Sequence, residues 1–470
     1  MTASGTLAQN SRDLQQQHIS AEELCTQCLA QITAGNPSLH AFIHVHEDVV
    51  KEARAIDEQR ARNETLPPLA GIPIAIKDLF DTSNLPTSYG GRAHGHAPAR
   101  ADATAVLRLR QAGALIIGKT NLHEYAFGTT SENPHFGTVK NPYGRGKIAG
   151  GSSGGSAVAV ATGMAPAALG TDTGGSIRIP AALCGVVGFK PTYGSIDVTG
   201  VFPLAPSLDH VGPLTRTVDD AAWLFSLLTA PSTSAMLRMS AGDHPYIPIP
   251  LTGPIRVGIP KNHFFEKCHQ GVNDTVQAAL RVLASQWLRP IDVSVPHMDV
   301  LPEWQRILIT TEAYSVHAET LATSRALYGS DVSERLESAL DIRAPQLLEA
   351  QRGQAMIREE MNRLFDQIDV LVSPTVPMTA TDTGQSKAFL GALEVPVRSH
   401  LNRYTNPFNF SGLPAISIPC GWNAGLPVGL QVIGAAHSER KLLSIAKLFE
   451  AALSSITEPT SERFHKPTTS

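Results

Sequence analysis

The spacing of apolar residues in the first part of the chain predicts two helices. Ser20-Ala-Glu-Glu23 is a capping box, in which the serine and the glutamate satisfy backbone N–H groups of a first helical turn. Four apolar residues then recur at helical spacing: Leu24, Cys28, Leu29 and Ile32. We therefore expect one helix from Ser20 to about Gly35-Asn36-Pro37, and a second over about residues 47–62.

Short apolar runs farther along the chain predict buried strands. The run Gly71–Asp78 is rich in isoleucine and delivers Lys77 at its C-terminal end. Other strands are expected at 115–117, 167–169, 186–189, 255–259, 370–372, 415–418 and 428–433. Helices are expected at 101–112, 272–288, 303–363 (with breaks near 329 and 345) and 439–453. This alternation predicts an α/β fold: a single large domain with a mixed, mostly parallel central sheet covered by helices on both faces.

Composition and charge narrow the class of protein. The chain has 470 residues, 42% of them hydrophobic, and a formal net charge of -4 without a basic block, which disfavours nucleic acid as a partner. No secretory leader is recognisable in Met1–Asn10, and the longest weakly polar stretch, 157–170, is shorter than the roughly 20 residues of a membrane span. Five cysteines are sparse and odd in number. We expect a cytoplasmic protein with no membrane partner.

Several short motifs match the sequence patterns of known binding sites but lack the structural context that those sites need. Gly113–Thr120 fits the phosphate-binding loop expression, but its Ala-Leu-Ile-Ile centre is typical of a buried strand. Cys25 and Cys28 lie inside a predicted helix without a second cysteine pair, and the His-x-His pairs at 44/46 and 94/96 lack further ligands. We expect no metal and no cofactor.

Two glycine- and serine-rich stretches carry the chemical signal. Gly150–Ser156 and Gly170–Pro180 lie between apolar segments, where small residues indicate a close approach of the backbone. In the second stretch, consecutive N–H groups can point into one concavity beside a hydroxyl, as acyl transfer requires. The expected oxyanion hole comprises Thr173, Gly174, Gly175 and Ser176.

A serine nucleophile needs a base. Two overlapping Gly-x-Ser-x-Gly matches at 150–155 suggest a hydrolase elbow, but the preceding residues 141–147 are typical of a loop rather than a strand. Lys77 is the other candidate, because burial at a strand end favours a neutral amine. From its position alone, Lys77 could equally reach solvent.

Together these stretches resemble the amidase signature family. The matching motifs are Gly-Ile-Pro-Ile-Ala-Ile-Lys-Asp at 71–78, Gly-Lys-Thr-Asn at 118–121, Gly-Gly-Ser-Ser-Gly-Gly-Ser at 150–156, Gly-Thr-Asp-Thr-Gly-Gly-Ser-Ile-Arg-Ile-Pro-Ala at 170–181, Gly-Phe-Lys-Pro-Thr at 188–192, Asn-Pro-Phe-Asn-Phe-Ser-Gly-Leu-Pro-Ala at 406–415 and Gly-Leu-Pro-Val-Gly-Leu-Gln at 425–431. The resemblance spans nearly the whole chain.

The resemblance implies a Ser, cis-Ser, Lys triad. Ser176 corresponds to the acyl-enzyme nucleophile and Lys77 to the base, while Ser152, 24 positions before Ser176, corresponds to the bridging serine after a cis peptide from Gly151. Further supporting or substrate-binding residues are expected at Ser153, Ala126, Phe127, Asp172 and Arg178, and the last two are expected to form an ion pair.

The implied function is an amide hydrolase that cleaves a small carboxylic or ureido-type amide and releases ammonia or an amine. The expected partner of such an enzyme is a small-molecule amide substrate, and a homodimer is possible. One alternative is the A subunit of a glutamine-dependent tRNA amidotransferase, which would need partner subunits, although Ile179 stands where such subunits carry Gln and 328–352 looks more like the hydrolases. A second alternative is a catalytically silent binding protein on the same fold.

The length of the chain allows about three domains or one large α/β domain. We divide it into an N-terminal helical segment packed on the core (1–65), the amidase signature catalytic core (66–230), a connecting insertion rich in Ser, Pro and Gly (231–254), and a C-terminal part that completes the same sheet (255–470).

Overall fold

The computed structural model describes residues 5–236, 238–239, 253–285 and 288–457. Most of the predicted insertion at 231–254 lies outside the described residues. None of the described helices is long and apolar enough to cross a membrane.

The helices are distributed along the whole chain. Their bounds are α1 (Leu7–Gln15), α2 (Ala21–Leu39), α3 (Val49–Ala61), α4 (Thr104–Gln111), α5 (Gly154–Ala161), α6 (Arg178–Cys184), α7 (Val218–Leu228), α8 (Thr233–Met236), α9 (Gln270–Ala284), α10 (Leu301–Ser324), α11 (Ser330–Glu337), α12 (Ala344–Arg363), α13 (Val397–Leu401), α14 (Asn406–Phe410) and α15 (Glu439–Thr457).

The strands alternate with these helices. Their bounds are β1 (Phe42–Val45), β2 (Pro73–Lys77), β3 (Leu115–Thr120), β4 (Ala167–Thr171), β5 (Val187–Lys190), β6 (Val211–Thr215), β7 (Ile255–Pro260), β8 (Leu288–Val293), β9 (Val370–Pro374), β10 (Lys387–Leu390), β11 (Leu393–Pro396), β12 (Ala415–Asn423) and β13 (Leu426–Ile433).

Within the described residues, eleven strands form one sheet in the order β1-β3-β2-β4-β6-β5-β12-β13-β9-β7-β8. The predicted α/β class, with one mixed sheet flanked by helices, is confirmed. The expectation that most strands are parallel is wrong, because six of the ten adjacent pairings in this sheet are antiparallel. One of these antiparallel pairs is a tight hairpin: β12 and β13 are joined by Ala424-Gly425, both with positive φ.

Local signals predicted the helices better than the edges of the sheet. The capping box at Ser20 is present, but α2 continues past Pro37 to Leu39, where His40 takes a left-handed conformation and donates its N–H to the Asn36 carbonyl. The helix expected at 272–288 ends at Ala284, because Leu288 begins β8 and pairs with β7. The N-terminal segment, expected to be helical, also contributes β1 to the sheet.

Three parallel neighbours, β3, β2 and β4, position the candidate site. Parallel strands present their carboxyl ends at one edge of a sheet, where loops commonly carry function. Lys77 ends β2 and Thr171 ends β4, and Ile76 is in register with Leu169. The two glycine- and serine-rich stretches lie at this same edge, because Lys77 at the end of β2 contacts Ser152 and the second stretch continues directly from the end of β4.

Candidate active site

Lys77 is fully buried at the end of β2. Its Nζ lies 2.7 Å from Ser152 Oγ and 2.7 Å from Thr171 Oγ1. Burial lowers the pKa of this lysine to about 7, although the nearby carboxylates of Asp172 and Asp209 favour its charged form. Lys77 therefore does not reach solvent, and its amine is neutral in a substantial fraction of molecules near neutral pH.

Ser152 follows a cis peptide bond from Gly151. Its carbonyl accepts hydrogen bonds from the His123 backbone N–H at 3.1 Å and from Ser131 Oγ at 3.1 Å. A Cβ at Gly151 would lie 2.6 Å from Ser131 Oγ, so this position excludes larger residues. These contacts hold the Ser152 hydroxyl against Lys77.

Ser153 plays a different part from its neighbour. Its Oγ donates to the Thr171 carbonyl at 3.2 Å, and the Thr171 N–H donates to that Oγ at 3.3 Å. Its backbone N–H donates to the Ser176 carbonyl at 3.1 Å. Ser153 thus ties the loop before α5 both to β4 and to Ser176.

One of the four N–H groups predicted for the oxyanion hole, that of Gly175, is already bonded within the loop that carries Ser176. The Gly175 N–H donates to Asp172 Oδ1 at 2.8 Å and is not available to a substrate. The N–H groups of Thr173, Gly174 and Ser176 have no hydrogen-bond partner within the described residues. The expected hole therefore retains three of its four donors. The Asx-type geometry of Asp172 explains the difference, since a carboxylate often captures an N–H a few residues ahead.

Asp172 and Arg178 form the expected ion pair beneath this loop. Both side chains are buried, and Arg178 donates to Asp172 through Nε at 3.0 Å and Nη2 at 2.9 Å. Burial alone would raise the pKa of Asp172, but Arg178, Lys190 and Asn409 outweigh it and hold the pKa below its usual range. Because Asp172 is held by a bidentate partner, neither charge is free for a substrate.

A small cavity lies beside Thr171, which contacts Lys77, on the side of β6. Thr173 Oγ1 donates to Asp209 Oδ1 at 2.5 Å. The cavity has a volume of about 50 Å³, and its lining includes Leu79, Thr171, Phe202, Asp209 and His210. Space for a small, mostly apolar group is therefore present next to the partners of Lys77 and Thr173.

Comparison with known proteins identifies the family. A model of the Amidase family matches residues 23–443. The chain belongs to the amidase signature family. It is 37% identical to the A subunit of the glutamyl-tRNA(Gln) amidotransferase of Chloroflexus aurantiacus, over 92% of this chain and 93% of that protein. Among solved structures, a crystal structure of an amidase is 35% identical with a TM-score of 0.89, covering 96% of this chain and all of that one.

A second solved relative comes from an amidotransferase. The A subunit of the glutamyl-tRNA(Gln) amidotransferase of Thermotoga maritima is 30% identical with a TM-score of 0.75, over 94% of this chain and 95% of that one. Amidases and these amidotransferases both act on carbon–nitrogen bonds, and this chain belongs to an enzyme family with that chemistry.

The amidase signature site is bordered by the loop that carries Ala126 and Phe127. Tyr125 and Ala126 both have positive φ, and Phe127 is buried with the Arg335 guanidinium 4.3 Å from its ring centre. The Thr129 backbone abuts Gly151, since a Cβ there would lie 3.2 Å from the Thr129 carbonyl carbon. The loop that carries the predicted residues Ala126 and Phe127 therefore lies against Gly151.

Several residues of this amidase signature site were not predicted from the sequence. Thr171 contacts Lys77, and Asn409 and Gln431 contact the buried Arg178, at 2.6 Å in each of the last two cases. A signal was present, because Asn409 and Gln431 lie within the C-terminal motifs that resemble the family. Their role as partners of Arg178, more than 200 positions away, is visible only in the folded chain.

Proposed function

We propose that this chain is an amidase that cleaves a carboxamide through an acyl-enzyme on Ser176. One observation carries the proposal: the fully buried Lys77 amine lies 2.7 Å from the Ser152 hydroxyl, and its pKa is lowered to about 7 by desolvation. A base that is neutral near the working pH can remove a proton, whereas an ordinary lysine cannot.

The proposed reaction uses the contacts of Lys77. Neutral Lys77 donates one N–H to Thr171 and presents its lone pair to Ser152. In the proposed step the Ser152 hydroxyl proton passes to Lys77 while Ser152 takes the proton of Ser176. The Ser176 oxygen bonds to the amide carbon, and the N–H groups of Thr173, Gly174 and Ser176 hold the oxyanion. Each such donor is worth about 3 to 4 kcal/mol of transition-state stabilisation in comparable sites.

Collapse of the tetrahedral intermediate completes acylation. The carbon–nitrogen bond breaks, and the leaving nitrogen takes the proton that returns through Ser152. Water then attacks the ester, with the same relay acting as base, and releases the acid and free Ser176. Ammonia or an amine and a carboxylic acid are the products.

Trapping of the acyl-enzyme tests the chemistry. With an amide substrate and hydroxylamine, the full chain should yield a hydroxamate, and Ser176→Ala should yield none. A hydroxamate still formed by Ser176→Ala, or an acyl adduct on another residue, contradicts the assignment of the nucleophile. An inactive wild-type chain in a clean assay would instead favour a silent binding protein.

Two substrates are supported by different observations. Amidotransferase A subunits at 34–37% identity over more than nine-tenths of the chain favour glutamine as the amide, with partner subunits that receive the ammonia. The higher TM-score to an amidase, 0.89 against 0.75, and Ile179 favour a free-standing hydrolase of a small amide. The relatives found by sequence similarity therefore support an amidotransferase subunit more broadly than a free-standing hydrolase.

A comparison of glutamine with small amides and ureas, using the purified single chain, separates these two substrates. An amidotransferase component should cleave glutamine slowly alone and faster with its partner subunits, whereas a free-standing amidase should turn over a small amide without any addition. A cytoplasmic location and a homodimer remain predictions for either case.

A further inference from the structure

The carboxylate of Asp209 is attached to one of the expected oxyanion donors. Its Oδ1 accepts a hydrogen bond of 2.5 Å from Thr173 Oγ1. The backbone N–H of Thr173 has no hydrogen-bond partner within the described residues, whereas the side chain of the same residue is held. Because the side chain and the N–H of one residue move together, the position of Asp209 affects the direction in which this N–H points.

Asp209 is itself held from two sides. Its Oδ2 accepts the backbone N–H groups of Leu204 at 2.9 Å and of Ala205 at 3.1 Å. The next residue, His210, exchanges two backbone hydrogen bonds with Asp172, of 2.9 and 3.2 Å, which extends the pairing of β6 with β4. The carboxylate therefore has a defined position beside the loop that leads to Ser176.

The donors around this carboxylate fit its ionised form. One hydroxyl donates to Oδ1 and two N–H groups donate to Oδ2, and such donors favour the charged state. Burial and the nearby carboxylate of Glu312 act in the opposite direction and raise the pKa of Asp209 above its usual range. Since both N–H groups point at Oδ2 and the hydroxyl points at Oδ1, the hydrogen-bond geometry indicates a negative charge here.

The same carboxylate lies on the side of Lys77. Asp209 and Thr171 line one small cavity, and Thr171 Oγ1 is 2.7 Å from the Lys77 amine. The carboxylates of Asp172 and Asp209 both act on this amine and favour its charged form. They differ in their partners, because Asp172 forms an ion pair with Arg178, whereas Asp209 forms none within the described part of the chain.

The other titratable groups around these two residues belong to several elements. Burial holds the pKa of His123, on the side of Lys77, and of His210 and Lys190, on the side of Asp209, well below their usual ranges, and it raises the pKa of Tyr193. On the helices, Glu312 of α10 and Arg358 of α12 are hydrogen-bonded to the backbone of residue 207, at 2.9 and 3.3 Å. The carboxylates that act on the Lys77 amine are those of Asp172 and Asp209.

We propose that Asp209 is a positioning residue of the amidase reaction: its carboxylate orients the Thr173 N–H toward the oxyanion and stabilises the ammonium that Lys77 becomes during acylation. This inference rests on the proposed function. When the relay moves a proton to Lys77, the amine gains a positive charge in a buried place, and a nearby anion stabilises that charge. One carboxylate thus links the base to the oxyanion hole.

A fluorophosphonate probe reports on Ser176 without requiring the natural amide. Its phosphorus bonds to the Ser176 oxygen, fluoride leaves, and the serine proton passes to the relay that ends at Lys77. The labelling rate therefore depends both on the base and on the oxyanion donors. The full chain is labelled at a series of pH values, and the adduct is mapped by mass spectrometry. The rate should rise with a midpoint near pH 7, since burial lowers the pKa of Lys77 to about 7.

Asp209→Asn removes the charge and keeps the shape of the side chain. The midpoint should move to lower pH by at least about 0.5 unit, because the ammonium of Lys77 loses a stabilising anion. The plateau rate should fall by at least about tenfold, because the Thr173 N–H is held less firmly. A residue that only stabilises its own turn would lower the rate or the stability without moving the midpoint, so an unchanged midpoint overturns the inference.

Three further variants separate charge from position. Asp197→Asn changes an exposed carboxylate that accepts the hydroxyl and the N–H of Thr199 at 2.7 and 2.8 Å, and it should alter neither the rate nor the midpoint. Thr173→Val removes the hydroxyl but keeps the charge, so the rate should fall while the midpoint moves by less than about 0.2 unit. Thr173→Ser should restore most of the rate. If Asp209→Asn does not fold, Thr173→Val decides, and labelling of that variant at the wild-type rate overturns the inference.

A direct titration of Lys77 distinguishes failure of the inference from failure of the proposed function. If the wild type carries no adduct on Ser176, the assignment of the nucleophile is contradicted. The resonance of the Lys77 side chain, in protein whose lysines are enriched in carbon-13 at Cε, then decides the inference by itself. This resonance is identified by its absence from Lys77→Met. A midpoint lower by at least about 0.5 unit in Asp209→Asn supports the inference, and the same midpoint in both proteins overturns it.

Discussion

The guanidinium of Arg178 donates hydrogen bonds of 2.9 and 3.0 Å to the carboxylate of Asp172, and both side chains are buried. The same carboxylate accepts the N–H groups of Gly175 at 2.8 Å and of Ile177 at 3.2 Å. The pair thus determines the shape of the loop on which Ser176 is presented.

Removing one charge of this pair should be costly. Breaking a buried ion pair by neutralising one partner typically costs about 3–5 kcal/mol, because the other charge is left buried. Asp172→Asn should lower the free energy of unfolding by this amount in denaturant titration and also lower kcat. Arg54→Gln, which breaks an exposed pair with Glu22, is the control and should change stability by less than about 1 kcal/mol. If Asp172→Asn does not fold, Arg178→Lys keeps the charge and should retain part of both properties; full stability in either variant contradicts the argument.

Activity should rise with pH through the range in which Lys77 loses its proton. The folded-state pKa of Lys77 is lowered to about 7, so kcat/KM should increase between about pH 6 and 8 and then level off. Lys77→Met should reduce kcat by at least about a hundredfold and remove this pH dependence. A Met variant with the wild-type profile would assign the base to another group.

The same pKa shift affects stability in a defined direction. The ordinary pKa of a lysine is 10.5, so between about pH 7 and pH 10.5 the unfolded chain binds a proton that the native chain does not. The Lys77 contribution to stability should therefore increase as pH rises through this window and should be least favourable below about pH 7. Denaturant titrations of wild type and Lys77→Met across this range measure the difference, and a gap between the two that does not change with pH contradicts the shift.

Adjacent serines should respond differently to substitution. Ser152 contacts Lys77, and Ser152→Ala should lower kcat by about 10²–10⁴-fold with little change in stability. Within the described part of the chain, the Ser153 side chain bonds to backbone groups of Thr171 alone, so Ser153→Ala should lower stability by about 1 kcal/mol and retain most of kcat. Steady-state kinetics and thermal unfolding of both variants check this, and a reversed order would move the bridging role to Ser153.

Gly175 should not tolerate a side chain. It has φ of +127°, and a Cβ would lie 2.1 Å from Thr405 Oγ1, whose own hydroxyl bonds the Gly174 carbonyl. Gly175→Ala should therefore lower both stability and kcat, through backbone strain and displacement of the loop. Gly384 has φ of +79°, and no described residue lies within 4 Å of the position that a Cβ would take, so Gly384→Ala isolates the strain, which costs about 1 kcal/mol. Equal effects of the two variants would show that the contact with Thr405 does not matter.

Predictions that depended on local pattern agree with the structure. The capping box at Ser20 begins α2, and the isoleucine-rich run at 73–77 forms the buried strand that ends at Lys77. The apolar run was enough to dismiss the phosphate-loop match, since Leu115–Thr120 is strand β3. Each of these signals resides in a few consecutive residues, whose period or capping chemistry is independent of the rest of the fold.

Pairing between distant segments was not predictable in this way. Strand β6 contains Gly212-Pro213, a combination typical of a turn, yet it pairs with β4 and β5 inside the sheet. Strand β8 was not predicted, because its pairing with β7, across about 30 residues, produces no signal in the local sequence.

The sequence by itself determined the α/β alternation, the chemical identity of the glycine- and serine-rich stretches, and the candidate residues Lys77, Ser152 and Ser176. Only the tertiary structure decided which N–H group of the Ser176 loop donates to Asp172, and that Lys77 is buried against Ser152. It also decided that Arg398 and Arg335 share the Asp331 carboxylate at the border of the site. The reason is physical: a residue's type is a local property, but its burial, its pKa and its hydrogen-bond partners depend on segments that meet only when the chain is folded.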